Sequence, residues 1–190
     1  MMRGLIWKSL AVLSTTCRLA FPAGTASADS SQTVASPGDS IMVGKPAPDF
    51  KLHNQSGVET GLKEFLGKWV VLYFYPKNFT SGCTVEAHNF QRDSAAYAKA
   101  NAVILGVSTD RVGSHKDFCA KERLGFTLLA DTGGVVSKSY GSLKSLVGIK
   151  LSARNTFIID PKGNVAKIFI GVKPAKHSEE VLAALAELSR

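Results

Sequence analysis

The sequence predicts an α/β sandwich, with helices on both faces of a mixed sheet whose parallel strands come first and whose antiparallel pair comes last. Two apolar runs carry this prediction, Trp69 to Tyr75 (WVVLYFY) and 102–107 (AVILGV). Both are too continuously apolar for a strand with one wet face and read as buried on both faces. Helix-spaced segments follow each run, at 82–100 and on to about 123, so strands and helices alternate. The third observation is a pair of strand-like runs, 155–159 and 165–170, joined by the turn Pro161-Lys162-Gly163-Asn164.

In chain order, residues 1–28 read as a targeting segment. Arg3 and Lys8 give a positive start, Leu10 to Leu13 begin a short apolar stretch, and Ala26-Ser27-Ala28 is a small-residue cleavage site. A signal peptide and export, to a periplasm, is the preferred reading. The Arg- and Ser/Thr-containing, acid-free composition also suits an organelle transit peptide. The stretch is too short and too broken for a spanning helix, so the mature form is expected to be free of the membrane. Residues 29–40 (DSSQTVASPGDS) form a polar linker with nothing to bury, expected to be disordered.

The domain is expected over 41–190. Gly44 to Pro48 is a rigid lead-in, Asp49 to His53 alternates like a strand, and Leu62 to Leu66 is a helical turn closed by Gly67. After the central strand Trp69 to Tyr75, a helix is expected from about Gly82 to Ala100. The second strand ends at Ser108-Thr109-Asp110, and Asp110 or Ser114 is placed to cap the next helix, to about Arg123. Phe126 to Leu129 is a short strand. Asp131 to Gly141 is a capped helix, and Ser178 caps a final amphipathic helix to Leu188. This succession resembles the thioredoxin-like order, with extra residues at the front.

The net charge is +8, and removing Arg3, Lys8 and Arg18 of the leader leaves +5. The lysines are scattered and no aromatic residues interleave a basic stripe, which argues for a mildly basic enzyme rather than a nucleic-acid binder. The three cysteines, Cys17, Cys83 and Cys119, form no CxxC, which argues against a disulfide scaffold and a zinc ribbon. Cys17 lies in the leader, so the mature chain would keep two.

Cys83 stands where a helix begins, just past a core strand ended by Pro76. Only the thiolate of cysteine is a strong nucleophile, and the orphan N–H groups and dipole of a helix N-terminus favour an anion. Thr80 can aim its hydroxyl into the same pocket, Pro76 shields one side from water, and Gly82 lets a small ligand approach the backbone. The cation missing locally is best supplied by Arg154. The bland reading of Cys83 is an ordinary buried cysteine.

The run Pro76-Lys77-Asn78-Phe79-Thr80-Ser81-Gly82-Cys83 fits the PxxxTxxC motif of the peroxiredoxins. With LGVSTD (105–110), FTLLAD (126–131), YG (140–141) and ARNTFIIDPKGNV (153–165), the chain resembles the bacterioferritin-comigratory or peroxiredoxin Q subfamily from about Val43 to the final helix. The resemblance implies a thioredoxin-like, three-layer α/β/α fold and a thiol peroxidase acting on hydrogen peroxide and organic hydroperoxides, without a cofactor or metal. Cys83 is then the peroxidatic cysteine, with Pro76, Thr80 and Arg154 as its pocket. It implies thioredoxin or a similar thiol donor as reductant, and a monomer.

Two departures stand out. Ser81 occupies a position where the subfamily usually has proline. His88 occupies the position, five residues after Cys83, where many members carry the resolving cysteine. A second branch places that cysteine on the next helix, which suits Cys119 and implies a Cys83–Cys119 disulfide. Such a bond needs Cα atoms within about 7 Å, so the helical turns around both residues are expected to unwind during the cycle.

Other readings stay open. Cys119 beside Phe118 also suits core packing, which would leave a one-cysteine enzyme recycled by an external thiol. A non-catalytic redox sensor or chaperone on the same fold is the competing class, and a disulfide oxidoreductase is disfavoured by the missing CxxC. His115 and Cys119 share a helix face but have no further metal ligands near them in sequence. His88 reads as a surface or supporting residue, and His53 and His177 as structural. Glu86 either orients Arg154 or is a solvated charge. Tyr73 and Phe79 read as core or wall.

Overall fold

The computed structural model describes residues 41–190. The expected leader (1–28) and linker (29–40), and Cys17 with them, lie outside the described residues.

Among the described residues, nine strands and five helices follow in order: β1 (Lys51–Asn54), β2 (Glu59–Gly61), β3 (Trp69–Phe74), α1 (Ser81–Arg92), α2 (Ser94–Lys99), β4 (Ala102–Ser108), α3 (Val112–Glu122), β5 (Thr127–Ala130), α4 (Val135–Ser139), β6 (Leu143–Leu146), β7 (Ile149–Ser152), β8 (Asn155–Ile159), β9 (Val165–Ile170) and α5 (His177–Leu188). A 3-10 turn, Leu62–Phe65, precedes β3. Seven strands form one sheet in the order β2-β1-β5-β4-β3-β8-β9, and β6 and β7 form a separate hairpin. The strands β3, β4 and β5 run parallel, and β8 and β9 add antiparallel at the β3 edge. The mixed sheet is as predicted, but the parallel strands do not come first: β1 and β2 pair antiparallel and β1 adds antiparallel to β5 at the other edge.

Alternation along β3 explains its continuous apolar sequence. Val71, Tyr73 and Tyr75 pack on one face with Phe90 of α1, Tyr97 of α2, Phe118 of α3 and Val181 and Leu185 of α5. Val70, Leu72 and Phe74 pack on the other with Leu62, Val136 and Tyr140. Each residue of β3 beyond Trp69 is almost fully buried, so both faces must be apolar. The three layers are uneven: four helices cover the first face, and the 3-10 turn and short α4 serve the second.

Four expected helix boundaries are corrected. The segment 82–100 is two helices, because the chain turns at Asp93, whose carboxylate takes both an Arg92 fork and the Ser178 hydroxyl. Ser178 thus ties α5 to α1 instead of capping it, and α5 starts at His177. Neither Asp110 nor Ser114 caps α3, which begins after Arg111 without a side-chain cap. Both are drawn to Asn78: its backbone N–H donates to Asp110 Oδ2 at 2.8 Å and its side-chain amide to Ser114 Oγ at 2.8 Å. The helix expected at 131–141 is the five-residue α4. Asp131 does hold its first turn, accepting from the N–H groups of Val136 and Ser137 at 3.3 and 2.6 Å.

Candidate active site

The end of β3 and the start of β8 build the site. Asn155 lies opposite Phe74 in the antiparallel ladder, so Arg154, one residue before β8, falls beside the chain as it leaves β3 towards Pro76. From there the loop 76–80 turns back and α1 starts at Ser81, placing Cys83 in its first turn. Cys83 is buried, at 1% exposure. The Arg154 guanidinium donates from Nη2 to Cys83 Sγ at 3.3 Å and from Nη1 to Glu86 Oε2. One planar fork thus spans a sulfur and a carboxylate one helical turn apart.

Burial raises the Glu86 carboxyl to about 7, against the pull of Arg154. Its Oε1 has no hydrogen-bond partner among the described residues. Arg154 itself is held above its ordinary value: burial works against the charge, but Glu86 and Cys83 outweigh it. The guanidinium therefore stays a cation, while the proton on Glu86 is easily gained or lost near neutrality. Of the two readings for Glu86, the structure favours the one in which it orients Arg154.

Gly82 has a different use from the one expected. A Cβ built there would lie 3.1 Å from Arg154 Nη2. The glycine makes room for the guanidinium above the helix N-terminus. Thr80 is the residue before α1, and its hydroxyl donates to the Lys77 carbonyl at 3.0 Å, which leaves the oxygen's lone pairs as acceptors. Pro76 is half-buried and, with Arg154, lines a cleft of about 430 Å³ whose other wall is the β6–β7 hairpin, through Ile149 and Leu151.

Cys119 sits in α3, buried in the same core cluster as Cys83. Burial pushes its thiol up to about 11. Both cysteines are free, with no disulfide between them.

A buried polar network that sequence reasoning missed anchors the loop 76–80 to α3. Tyr75 donates its hydroxyl to Asn78 Oδ1 at 2.7 Å, and the Asn78 amide lies 3.2 Å from His115 Nδ1. Burial lowers His115 to about 4, against the opposing pull of Asp110. The ring is therefore neutral and accepts at Nδ1. Asn78 occupies a free position of the motif, so no local signal marks it. His115 serves this network, His177 packs buried against Phe90 and Phe169, and His53 is exposed on β1. His88 pairs with Glu122 at 2.9 Å on the surface between α1 and α3.

Residues 43–168 match the model of the AhpC/TSA family. A chloroplastic peroxiredoxin Q of Triticum aestivum is 42% identical over 149 residues, 78% of this chain and 68% of the plant protein. The crystal structure of peroxidoxin BcpB from Mycobacterium tuberculosis superimposes with a TM-score of 0.73 at 32% identity, over 77% of this chain and 97% of the other. A Xanthomonas campestris bacterioferritin comigratory protein, solved as trapped intermediate/ligand complexes bearing on its alkyl peroxide reduction, superimposes with a TM-score of 0.70 at 36% identity, over 74% and 92%.

Proposed function

The chain belongs to the AhpC/TSA family and is a peroxiredoxin of the Bcp/Q kind, a thiol peroxidase; from that premise we propose that Cys83 is its peroxidatic residue and Cys119 its resolving one. The observation that carries the first assignment is the Arg154 Nη2 to Cys83 Sγ contact at 3.3 Å, at the N-terminus of a twelve-residue helix. A cation at the sulfur and the orphan N–H groups of a helix N-terminus both favour an anion, the form of sulfur that attacks a peroxide.

The Cys83 thiolate attacks one peroxide oxygen in line with the O–O bond. The S–O bond forms, the O–O bond breaks, and the departing oxygen leaves with the electron pair and takes a proton, as water or an alcohol. Arg154 stabilises the charge on that oxygen. Thr80 Oγ, already donating to Lys77, accepts from the peroxide O–H, and Pro76 screens the sulfur from bulk water. Cys83 becomes a sulfenic acid. The Cys119 thiol then displaces its oxygen as water and closes a disulfide, which an external dithiol reopens. The neutral, buried Cys119 supports the view that α3 must loosen before it reacts.

Organic hydroperoxides join hydrogen peroxide as proposed substrates. Thioredoxin or a thioredoxin-like protein is the proposed reductant and the monomer the working unit. Residues 1–28 are proposed to direct the chain out of the cytoplasm, into a periplasm or, as for the chloroplastic plant relative, an organelle.

A second reading keeps Cys83 but recycles it with an external thiol. The burial of Cys119 among Phe118 and its neighbours favours it. Steady-state peroxide consumption with thioredoxin and its reductase separates the two. Cys83→Ser is expected to abolish turnover and Cys119→Ser to stop it after one equivalent unless a small thiol is added. Full turnover by Cys119→Ser with thioredoxin would establish the one-cysteine cycle. Turnover by Cys83→Ser would remove the assignment altogether.

A further inference from the structure

Phe79 lies between Pro76 and Cys83 with its backbone at φ 61°, a left-handed conformation that bulky residues rarely take. Its neighbour Asn78 is pinned to Asp110 and Ser114 at the start of α3. Phe79 is 47% exposed as a residue, so burial alone does not hold it in place. What it touches is specific. Its ring meets Phe118 edge-on, with centroids 5.1 Å apart and planes at 75°, and Lys121 Nζ stands 5.5 Å from its centroid. Phe118 precedes Cys119 and Lys121 follows it by two residues on the same face of α3. One ring from the loop leading into Cys83 therefore grips the helix on both sides of Cys119.

This contact opposes the motion that resolution requires. A disulfide demands Cα atoms within about 7 Å, and Cys83 and Cys119 sit in separate helices without such a bond. The left-handed backbone at Phe79 favours release of the loop, because such strain persists only while the surroundings enforce it. The ring contacts favour the closed arrangement.

We propose that Phe79 is a positioning residue, a latch between the Cys83 loop and α3 that sets how fast Cys119 resolves the sulfenic acid. The proposal rests on the reading of Cys119 as resolver. In that step the Cys119 S–H gives up its proton, the S–S bond forms and the S–OH bond of Cys83 breaks. Water leaves, the Cys119 sulfur is oxidised and the Cys83 sulfur is reduced. The competing event is a second peroxide oxidising the sulfenic acid to a sulfinic acid. The latch therefore divides Cys83 between a recoverable disulfide and a terminal oxidation.

The test is rapid-quench intact mass of the reduced full chain after peroxide, for wild type, Phe79→Ala, Phe79→Tyr and Lys121→Met. Removing the ring is expected to speed disulfide closure about five-fold and to raise the peroxide needed for half-conversion to sulfinic acid by about the same factor. Sulfenic acid formation should change by less than about two-fold, a split that general loosening of the fold would not give. Phe79→Tyr, which keeps the ring, should match wild type. Lys121→Met should speed closure about two-fold, and it carries the test should Phe79→Ala fail to fold. If wild type closes its disulfide and neither Phe79→Ala nor Lys121→Met closes faster, the latch is wrong and the resolver reading stands. If wild type never loses two hydrogens, the resolver reading and the latch fall together.

Discussion

Arg154 and Cys83 are 71 residues apart in the chain and meet at 3.3 Å, guanidinium Nη2 to sulfur. The antiparallel register of β8 on β3 brings them together, and the second arm of the fork, on Glu86, fixes the plane of the guanidinium. Among the described residues Arg154 is the cation that touches the sulfur, and it adds to the helix N-terminus there.

Arg154→Lys is therefore expected to lower the second-order rate constant with hydrogen peroxide by about 100-fold, the scale of losing one preorganised donor. Lysine keeps the charge but cannot reach sulfur and carboxylate at once. Stopped-flow competition against a reporter thiol peroxidase checks this. A rate within a few-fold of wild type would mean that the fork is not needed.

Gly82→Ala separates reactivity from stability. Alanine in a helix favours folding by about 0.5–1 kcal/mol over glycine, but its Cβ would stand 3.1 Å from Arg154 Nη2. The variant is expected to resist urea as well as wild type or better, while reacting with peroxide several-fold more slowly. Unchanged reactivity would show that the guanidinium shifts without consequence.

Much of this arrangement was legible in the sequence because local rules govern it. The double-faced burial of Val70–Phe74 shows in its unbroken apolar run, and the β8–β9 hairpin in its turn residues. Cys83, Thr80, Pro76 and Arg154 follow from the motif and its companion strand. The missing parts depend on long-range pairing. The edge strand β2 has only three residues, and the two strands of the β6–β7 hairpin have four each: LKSL does not alternate, and the alternation of IKLS is too short to mark a strand. Asp110, Ser114 and Ser178 have the chemistry of helix caps, yet partners distant in sequence, Asn78 and Asp93, claim their side chains. Gly82 reads as room for a small ligand until the structure places the Arg154 guanidinium in that space.

Two buried groups pull stability in opposite directions with pH. His115 sits at about 4 in the folded chain against an ordinary 6.5, so its stabilising contribution is present above 6.5 and lost as pH falls through 4. Glu86 sits at about 7 against 4.5, so its contribution is present below 4.5 and lost as pH rises through 7. Each shift corresponds to roughly 3 kcal/mol, and their overlapping windows nearly cancel. Wild-type urea midpoints should therefore vary little between pH 4.5 and 6.5 from these two groups. Glu86→Gln should expose the histidine alone, losing stability steadily on acidification across that range. A Glu86→Gln profile parallel to wild type would contradict the assignment of the raised carboxyl.

Tyr73→Phe should be neutral or stabilising by up to about 1 kcal/mol, because the Tyr73 hydroxyl is buried and has no partner among the described residues. Thermal unfolding of the two proteins checks this. A loss above about 1 kcal/mol would reveal a hydrogen bond to that hydroxyl.

Intact mass after one equivalent of hydrogen peroxide and alkylation, for the mature protein and its Cys119→Ser variant, reads out directly whether Cys83 takes the peroxide oxygen and Cys119 displaces it. Wild type is expected to lose two hydrogens with both thiols blocked to alkylation, and the variant to carry one added oxygen, or its overoxidised products, on Cys83. A wild type that stops at one added oxygen with Cys119 still free would contradict the resolving role, and an unreacted Cys83 would rule it out as the peroxidatic residue.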